Sequence, residues 1–67
     1  MSFAKITEIT ATSEKSFEDA IKNGAERANK TLKNVKSVWV KDQEATIKNG
    51  KLDTYKVTMK VTFVLEG

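Results

Sequence analysis

Residues 54–65 alternate between polar and apolar side chains, with Val64 as the one exception, and this alternation limits the fold more than any other feature of the sequence. The apolar positions are Tyr55, Val57, Met59, Val61, Phe63 and Leu65. A repeat of two residues is typical of a strand that buries one face. Neither Gly nor Pro interrupts the run, which favours a central position in a sheet. We therefore predict a last strand from Lys51 to Leu65.

The dipeptide Asn49-Gly50 precedes this strand and predicts a β-hairpin, since both residues tolerate positive φ. The partner strand is predicted from about Val35 to Lys48. With a two-residue turn, Val40 lies opposite Met59 on one apolar face of the hairpin. The same register places on the other face Ser37, Trp39, Lys41, Gln43, Ala45 and Ile47.

The N-terminal half of the chain predicts one strand and one helix. β-branched residues between Phe3 and Thr10 favour a strand there. Ser13 and Ser16 are both candidate N-caps of the helix that follows. Small or apolar residues then recur at helical spacing, at Phe17, Ala20, Ile21, Gly24, Ala25, Ala28, Leu32 and Val35. The small residues in the middle of this stripe predict a helix that packs closely against the sheet, the most direct reason for a glycine inside it.

The order strand, helix, strand, strand predicts an α+β fold with β-α-β-β topology. The hairpin return runs against both other strands, so a fully antiparallel three-stranded sheet requires the order 1-3-2. One helix then covers one sheet face, and the bare face carries Trp39, Ile47 and Leu52. We expect a single domain over residues 1–67. A chain of 67 residues without cysteines has a small core and no disulfides, which leaves self-association as its route to stability.

The missing residue types exclude several classes of function. The chain has no Cys and no His, which removes thiol and imidazole chemistry and the commonest zinc ligands, so we expect no enzyme. A net charge of +3 is a small excess, and Lys41, Lys56 and Lys60 around Trp39 resemble a nucleic-acid stacking platform only superficially. No apolar run approaches the ~20 residues of a membrane span. We therefore expect a cytoplasmic protein with neither a nucleic-acid nor a membrane partner.

Segments along the whole chain resemble the dodecin family. They are Lys5-Ile6-Thr7-Glu8-Ile9, Thr12-Ser13-Glu14-Lys15-Ser16-Phe17-Glu18-Asp19-Ala20, Ala25-Glu26-Arg27-Ala28, Thr31-Leu32-Lys33-Asn34-Val35 and Tyr55-Lys56-Val57-Thr58-Met59-Lys60-Val61-Thr62-Phe63. The resemblance implies a sheet wrapped around the helix and a hollow homododecamer. It also implies a storage or buffering protein for flavins such as FMN or riboflavin, without turnover chemistry. In the family, paired flavins lie between subunits near a two-fold axis.

The residues that contact flavin in the family differ in this sequence. The family's stacking Trp falls on Ser37, the Gln that binds the ring edge falls on Lys56, and Glu44-Ala45-Thr46 replaces a third family stretch. A lysine can donate to a flavin carbonyl but cannot accept from a ring N–H. The resemblance therefore predicts flavin binding that is weakened or lost. Trp39 lies two residues after Ser37 on the same face, where it either stacks a small flat aromatic ligand in a shifted pose or fills the interface between copies.

An alternative function is a structural or cation-binding shell without flavin. Asp42 and Glu44 are predicted to share a strand face, and Asp53 to lie near Glu44 across the hairpin. Clustered carboxylate oxygens suit hard cations such as Ca²⁺ or Mg²⁺. The other interpretation of these residues is a solvated or salt-bridged end of the hairpin.

Overall fold

The computed structural model describes residues 3–65. The elements follow the predicted order, as β1 (Phe3–Ser13), α1 (Phe17–Thr31), β2 (Val35–Lys48) and β3 (Lys51–Leu65). The three strands form one sheet in the order β1-β3-β2, and both pairings are antiparallel. The predicted β-α-β-β topology and the central position of β3 are confirmed. Within residues 3–65 no helix is both long and apolar enough to cross a membrane.

The core lies between α1 and the apolar side of β3. Val57, Met59 and Val61 are fully buried there, and burial of each such side chain stabilises the fold by about 1.5–3 kcal/mol. From the helix, the predicted stripe buries its small residues Ala20, Gly24 and Ala28. The apolar face of β3 thus packs against the stripe of small residues on α1, as the sequence predicts.

Gly24 marks the closest approach of α1 to the sheet. A Cβ at this position would lie 2.9 Å from Cβ of Ala11 and would also clash with Cε of Met59. Real Cβ atoms do not approach other carbon atoms so closely. The glycine therefore allows the helix to rest directly on β1 and β3.

The first turn of α1 is tied to the end of β1. Ser16 is the N-cap, and its Oγ accepts a hydrogen bond from the backbone N–H of Asp19 at 3.0 Å. Ser13, the other candidate cap, ends β1 instead, so this strand is three residues longer than predicted. The Ser13 hydroxyl donates to Oδ2 of Asp19 at 2.6 Å and accepts from the backbone N–H of Lys15 at 2.9 Å.

These contacts change the acidity of Asp19. The hydrogen bond from Ser13 lowers the pKa of Asp19 below its ordinary value of 3.8. Desolvation acts in the opposite direction, and the positive charge of Lys15, a hydrogen bond from Asn23 and the positive charge of Lys22 lower the pKa further. The carboxylate form of Asp19 is therefore the form that the fold favours.

The helix ends earlier than its predicted stripe. Its last residue is Thr31, and Leu32 is an extended C-cap whose N–H donates to the carbonyl of Ala28. Asn34 has φ of 59°, in the left-handed region that asparagine tolerates better than most residues. Its carbonyl accepts from the N–H of Val64 at 3.1 Å. The chain thus turns directly from α1 into β2 at Val35, which belongs to the strand rather than to the helix.

The hairpin turn forms at the predicted dipeptide. Asn49 and Gly50 have φ of 53° and 76°, and the flanking Lys48 and Lys51 pair with each other. The predicted register also holds from Ser37 to Val40, where Val40 lies opposite Met59. At the far end of the hairpin it is wrong, because an irregularity between Val35 and Ser37 pairs Val35 with Phe63 instead of Val64.

Between the Val40–Met59 pair and the Ile47–Leu52 pair the predicted register is also wrong by one residue. Irregularities lie between Val40 and Asp42 on β2 and between Thr46 and Ile47, where the partner strand skips Asp53. Lys41 is thus an extra residue on one strand and Asp53 an extra residue on the other, and the two offsets cancel. An unpaired residue of this kind is a β-bulge, and it inverts the alternation beyond it.

The inverted alternation corrects the predicted faces of β2. Gln43 and Ala45 now lie opposite Val57 and Tyr55, on the side of the sheet that carries α1. Asp42, Glu44 and Thr46 move to the other side. Ile47 and Leu52, which pair with each other, follow on the α1 side at the hairpin tip rather than on the bare face.

Candidate functional site

The side of the sheet away from α1, which we call the outer face, is the candidate site. The residues of this face are identified from the strand pairings, since alternate residues of β3 are buried on the opposite side. Its central members are Ile6, Glu8 and Thr10 of β1, Lys56, Thr58, Lys60 and Thr62 of β3, and Ser37, Trp39, Asp42 and Glu44 of β2. Within residues 3–65 no helix contributes to this face, so the described part of the chain leaves it open to a ligand or to another copy.

Trp39 is the largest side chain on the outer face and is 63% exposed. It lies opposite Lys60, whose Nζ is 5.4 Å from the centroid of the indole ring. This distance is within the range of a cation–π interaction. The expected exposure of Trp39 on the bare face is confirmed for the single chain.

Two ion pairs join strands across the outer face. Nζ of Lys41 lies 3.4 Å from Oε1 of Glu8, a contact that spans β3. Nζ of Lys56 lies 3.5 Å from Oε1 of Glu44. All four side chains are about half exposed or more, so these pairs orient the groups more than they stabilise the fold.

The predicted flavin-contact residues form two groups within one chain. Ser37 is exposed, lies opposite Thr62 and precedes Trp39 by one outward-facing position, ~7 Å along the strand. Lys56 pairs with Glu44 instead and lies ~13 Å along β3 from Lys60, the partner of Trp39. The outer face therefore brings Ser37 and Trp39 together and keeps Lys56 apart from them.

The predicted three-carboxylate cation site does not assemble within the chain. Asp42 and Glu44 share the outer face and line a shallow hollow of about 440 Å³ with Lys56 and Thr58. Asp53 is the residue that β2 skips at the bulge next to Thr54, and its Oδ2 accepts from the hydroxyl of Thr54 at 3.1 Å. Among residues 3–65 there is no group of three or more acidic side chains that could hold a metal ion.

Two features of the surface were not predicted from the sequence. Glu8 is the carboxylate that pairs with Lys41, and this contact depends on the register of β1, for which the sequence carries no turn signal. A groove of about 590 Å³ also lies between α1 and β1. Its apolar residues are Ile9, Ala11, Gly24, Ala28 and Leu32. The stripe of small residues on α1 was the available signal for this groove, because small side chains leave space where the helix approaches a strand.

Comparison with known proteins assigns the family. The family model described as Dodecin matches residues 3–66, which includes every strand, the helix and the outer face. The chain belongs to the dodecin family. A comparison with curated proteins gives no match.

Solved dodecin structures agree with this fold over more than 90% of their length. An arginine-to-alanine variant of the Thermus thermophilus dodecin is 34% identical, with a TM-score of 0.94 and 100% of both chains covered. The Streptomyces davaonensis dodecin is 33% identical, with a TM-score of 0.93 and coverage of 98% of this chain and 97% of that chain. A calcium-chelating antigen of Mycobacterium tuberculosis, called calcium dodecin and described with a calcium-binding site, is 26% identical, with a TM-score of 0.81 and coverage of 96% and 91%.

Proposed function

We propose that this dodecin is an oligomeric binding and storage protein that holds small flat aromatic ligands, FMN or riboflavin among them, on its outer face. The observation that carries the proposal is the 63% exposure of Trp39 on the sheet face opposite α1. An indole ring offers a flat apolar surface on which another ring can stack. No catalytic step is proposed, and binding alone would sequester the ligand.

Self-association supports this proposal, because one chain leaves much apolar surface in water. Ile6 and Trp39 on the outer face and Ile47 and Leu52 at the hairpin tip are each more than half exposed. The protomer is thin, with extents of 52 × 18 × 13 Å. Exposed apolar side chains of this kind mark contacts with another protein surface. We propose the homododecamer of the family as the assembly, with ligands at the seams between copies.

Flavin is proposed to bind more weakly here than in the usual family site. Ser37 offers no ring at the family's stacking position, and a stacked aromatic pair contributes about 0.5–1.5 kcal/mol beyond its buried area. Lys56 supplies only donors, and its ammonium is already 3.5 Å from Glu44. Trp39 either stacks the ligand at a position shifted along β2 or fills the interface between copies itself.

Fluorescence titration tests the binding proposal directly. FMN and riboflavin are each titrated with the purified protein, and the absorbance of the protein as isolated is recorded for bound flavin. Quenching at micromolar protein supports the proposal, and unchanged emission of both flavins removes them from it. Sedimentation at the same concentration must show an assembly, since a stably folded single chain would contradict the proposed seams.

Substitution of Trp39 separates its two roles. If Trp39 is a stacking plate, Trp39→Ala abolishes quenching while the assembly sediments unchanged, and Trp39→Phe keeps part of the quenching. If Trp39 fills the seam, Trp39→Ala shifts the sedimentation profile towards smaller species. The measurement therefore assigns the indole to the ligand or to the interface.

A cation-binding shell is the second candidate function, because Asp42 and Glu44 share the outer face and one relative is described with a calcium-binding site. Any cation would need further oxygen ligands from water or from a second copy. A rise in melting temperature with Ca²⁺ that Asp42→Asn removes would support this candidate. An identical melting temperature with Ca²⁺ and with chelator would contradict it.

A further inference from the structure

We infer that Lys60 makes the exposed indole ring of Trp39 selective for flat aromatic ligands that carry a negative group. The inference rests on the proposed function, since it concerns which ligand the outer face prefers. Lys60 lies opposite Trp39 in β2 and opposite Glu8 in β1. It therefore occupies the middle of the row that contains the exposed indole.

The ammonium of Lys60 competes with a neutral ligand for the indole ring. Its Nζ is 5.4 Å from the ring centroid, so a ring that stacks on this side of Trp39 must displace it. Loss of an exposed cation–π contact lowers the affinity of an uncharged ligand by about two- to fivefold. A ligand with a negative group recovers this loss, because the displaced ammonium pairs with that group.

The other lysines of the outer face already have carboxylate partners. Lys41 is paired with Glu8 at 3.4 Å and Lys56 with Glu44 at 3.5 Å. Within residues 3–65 no ion pair is formed by Lys60. Its charge is therefore the one on this row that a ligand can use without breaking an existing pair.

Hydroxyl groups next to Lys60 complete a site for a negative group. Ser37 and Thr62 face each other in the neighbouring row, ~7 Å along the strands from Trp39 and Lys60. Both hydroxyls can donate to an anionic oxygen. On the other side of the row lies Asp42, opposite Thr58, which repels an anion. The negative group is thus directed towards Ser37, with the ring over Trp39.

FMN and riboflavin test the inference, since they share one ring system and differ by a phosphate. Equilibrium titrations of the assembled protein are run at about 10 mM salt, where charges act over ~30 Å, and at about 1 M salt, where they are screened. We expect FMN to bind about fivefold more tightly than riboflavin at low salt, and this preference to shrink at high salt.

Variants of Lys60 assign the preference to this side chain. Lys60→Met removes the charge and keeps the length, so FMN and riboflavin should bind within about twofold of each other, with riboflavin about two- to fivefold tighter than in the unaltered protein. Lys60→Arg keeps the charge and should keep the preference. Lys30→Met, at an exposed position of α1, makes the same charge change away from the outer face and should leave the ratio unchanged.

Each outcome separates the inference from the proposed function. If both flavins bind but Lys60→Met leaves their ratio unchanged, the inference is overturned and the proposed function stands. If neither flavin binds to the unaltered protein or to any variant, both are overturned. Lys60→Gln is a second neutral variant, to be used if Lys60→Met does not sediment as the assembled protein.

Discussion

The hydroxyl of Ser13 donates to Oδ2 of Asp19 over 2.6 Å and so fastens the last residue of β1 to the first turn of α1. The bond favours the ionised carboxyl and lowers the pKa of Asp19 below 3.8 in the folded chain. The unfolded chain lacks this bond and keeps the ordinary pKa. The stability contributed by Asp19 is therefore complete above the unfolded pKa and is lost as the pH falls through the lower folded value.

Ser13→Ala is predicted to weaken this dependence on pH. Without its principal hydrogen bond, the folded pKa of Asp19 moves back towards the unfolded value, so less stability is lost on acidification. Urea unfolding at constant protein concentration, from neutral pH to below pH 3.8, measures the difference. Glu14→Gln removes an exposed acid nearby and is the control. A Ser13→Ala profile parallel to that of the unaltered protein would contradict the assignment.

Gly24→Ala is predicted to destabilise the fold although alanine is the better helix former. The new methyl would meet Cβ of Ala11 at 2.9 Å and the end of Met59, and overpacking of this kind costs about 1–3 kcal/mol. Thermal unfolding measures the effect. Asn29→Ala at an exposed position of α1 is the matched control and should not destabilise the protein. Equal or higher stability of Gly24→Ala would show that α1 can move away from β1.

Gly50→Ala is predicted to cost about 1–2 kcal/mol through backbone strain alone. Gly50 has φ of 76°, and nothing lies within 4 Å of the position that a Cβ would take, so packing does not contribute. Asn49→Gly keeps the turn accessible and serves as the control. Flavin titration should be unaffected, since the turn is remote from Trp39, and a change in binding would mean that the hairpin tip contacts the ligand site in another copy.

Glu8→Gln is predicted to change the free energy of unfolding by less than about 1 kcal/mol. The pair with Lys41 has a separation of 3.4 Å, but both side chains are nearly half exposed. The small effect should shrink further at high salt. A larger loss in urea unfolding would indicate that the pair becomes buried when copies assemble.

The sequence predicts the parts of this fold that local chemistry determines. The alternation of β3 fixes its buried face, and Asn49-Gly50 fixes the turn, because the preferences of these residues act within a few positions. The small residues of α1 likewise predict a closely packed helix, and Gly24 has that role. The sequence also predicts correctly that Trp39 lies on the outer face. The two offsets cancel, so the Trp39–Lys60 pair has the same register as the Lys48–Lys51 pair at the turn.

The sequence does not predict features that depend on two strands at once. Lys41 and Asp53 have ordinary strand neighbours, and only the paired ribbon shows that each is an extra residue. For this reason the sequence alone predicts Ile47 and Leu52 on the wrong side of the sheet. The sequence predicts the end of β1 at Thr10 rather than Ser13 because the pairing of Ser13 with Tyr55 has no local signal.

Lys41 and Asp53 each add one unpaired residue to opposite strands of the hairpin. The hairpin can therefore be shortened without moving any other residue to the opposite face of the sheet. Removing both residues together would join the pairs on either side into one continuous ladder from Ser37 to Lys48 while every remaining side chain kept its present orientation. What such a shortened ribbon would lose is twist and bend, which bulges increase locally. In the proposed assembly a flatter hairpin would meet a neighbouring copy at a different angle, so Lys41 and Asp53 would help to determine how copies join.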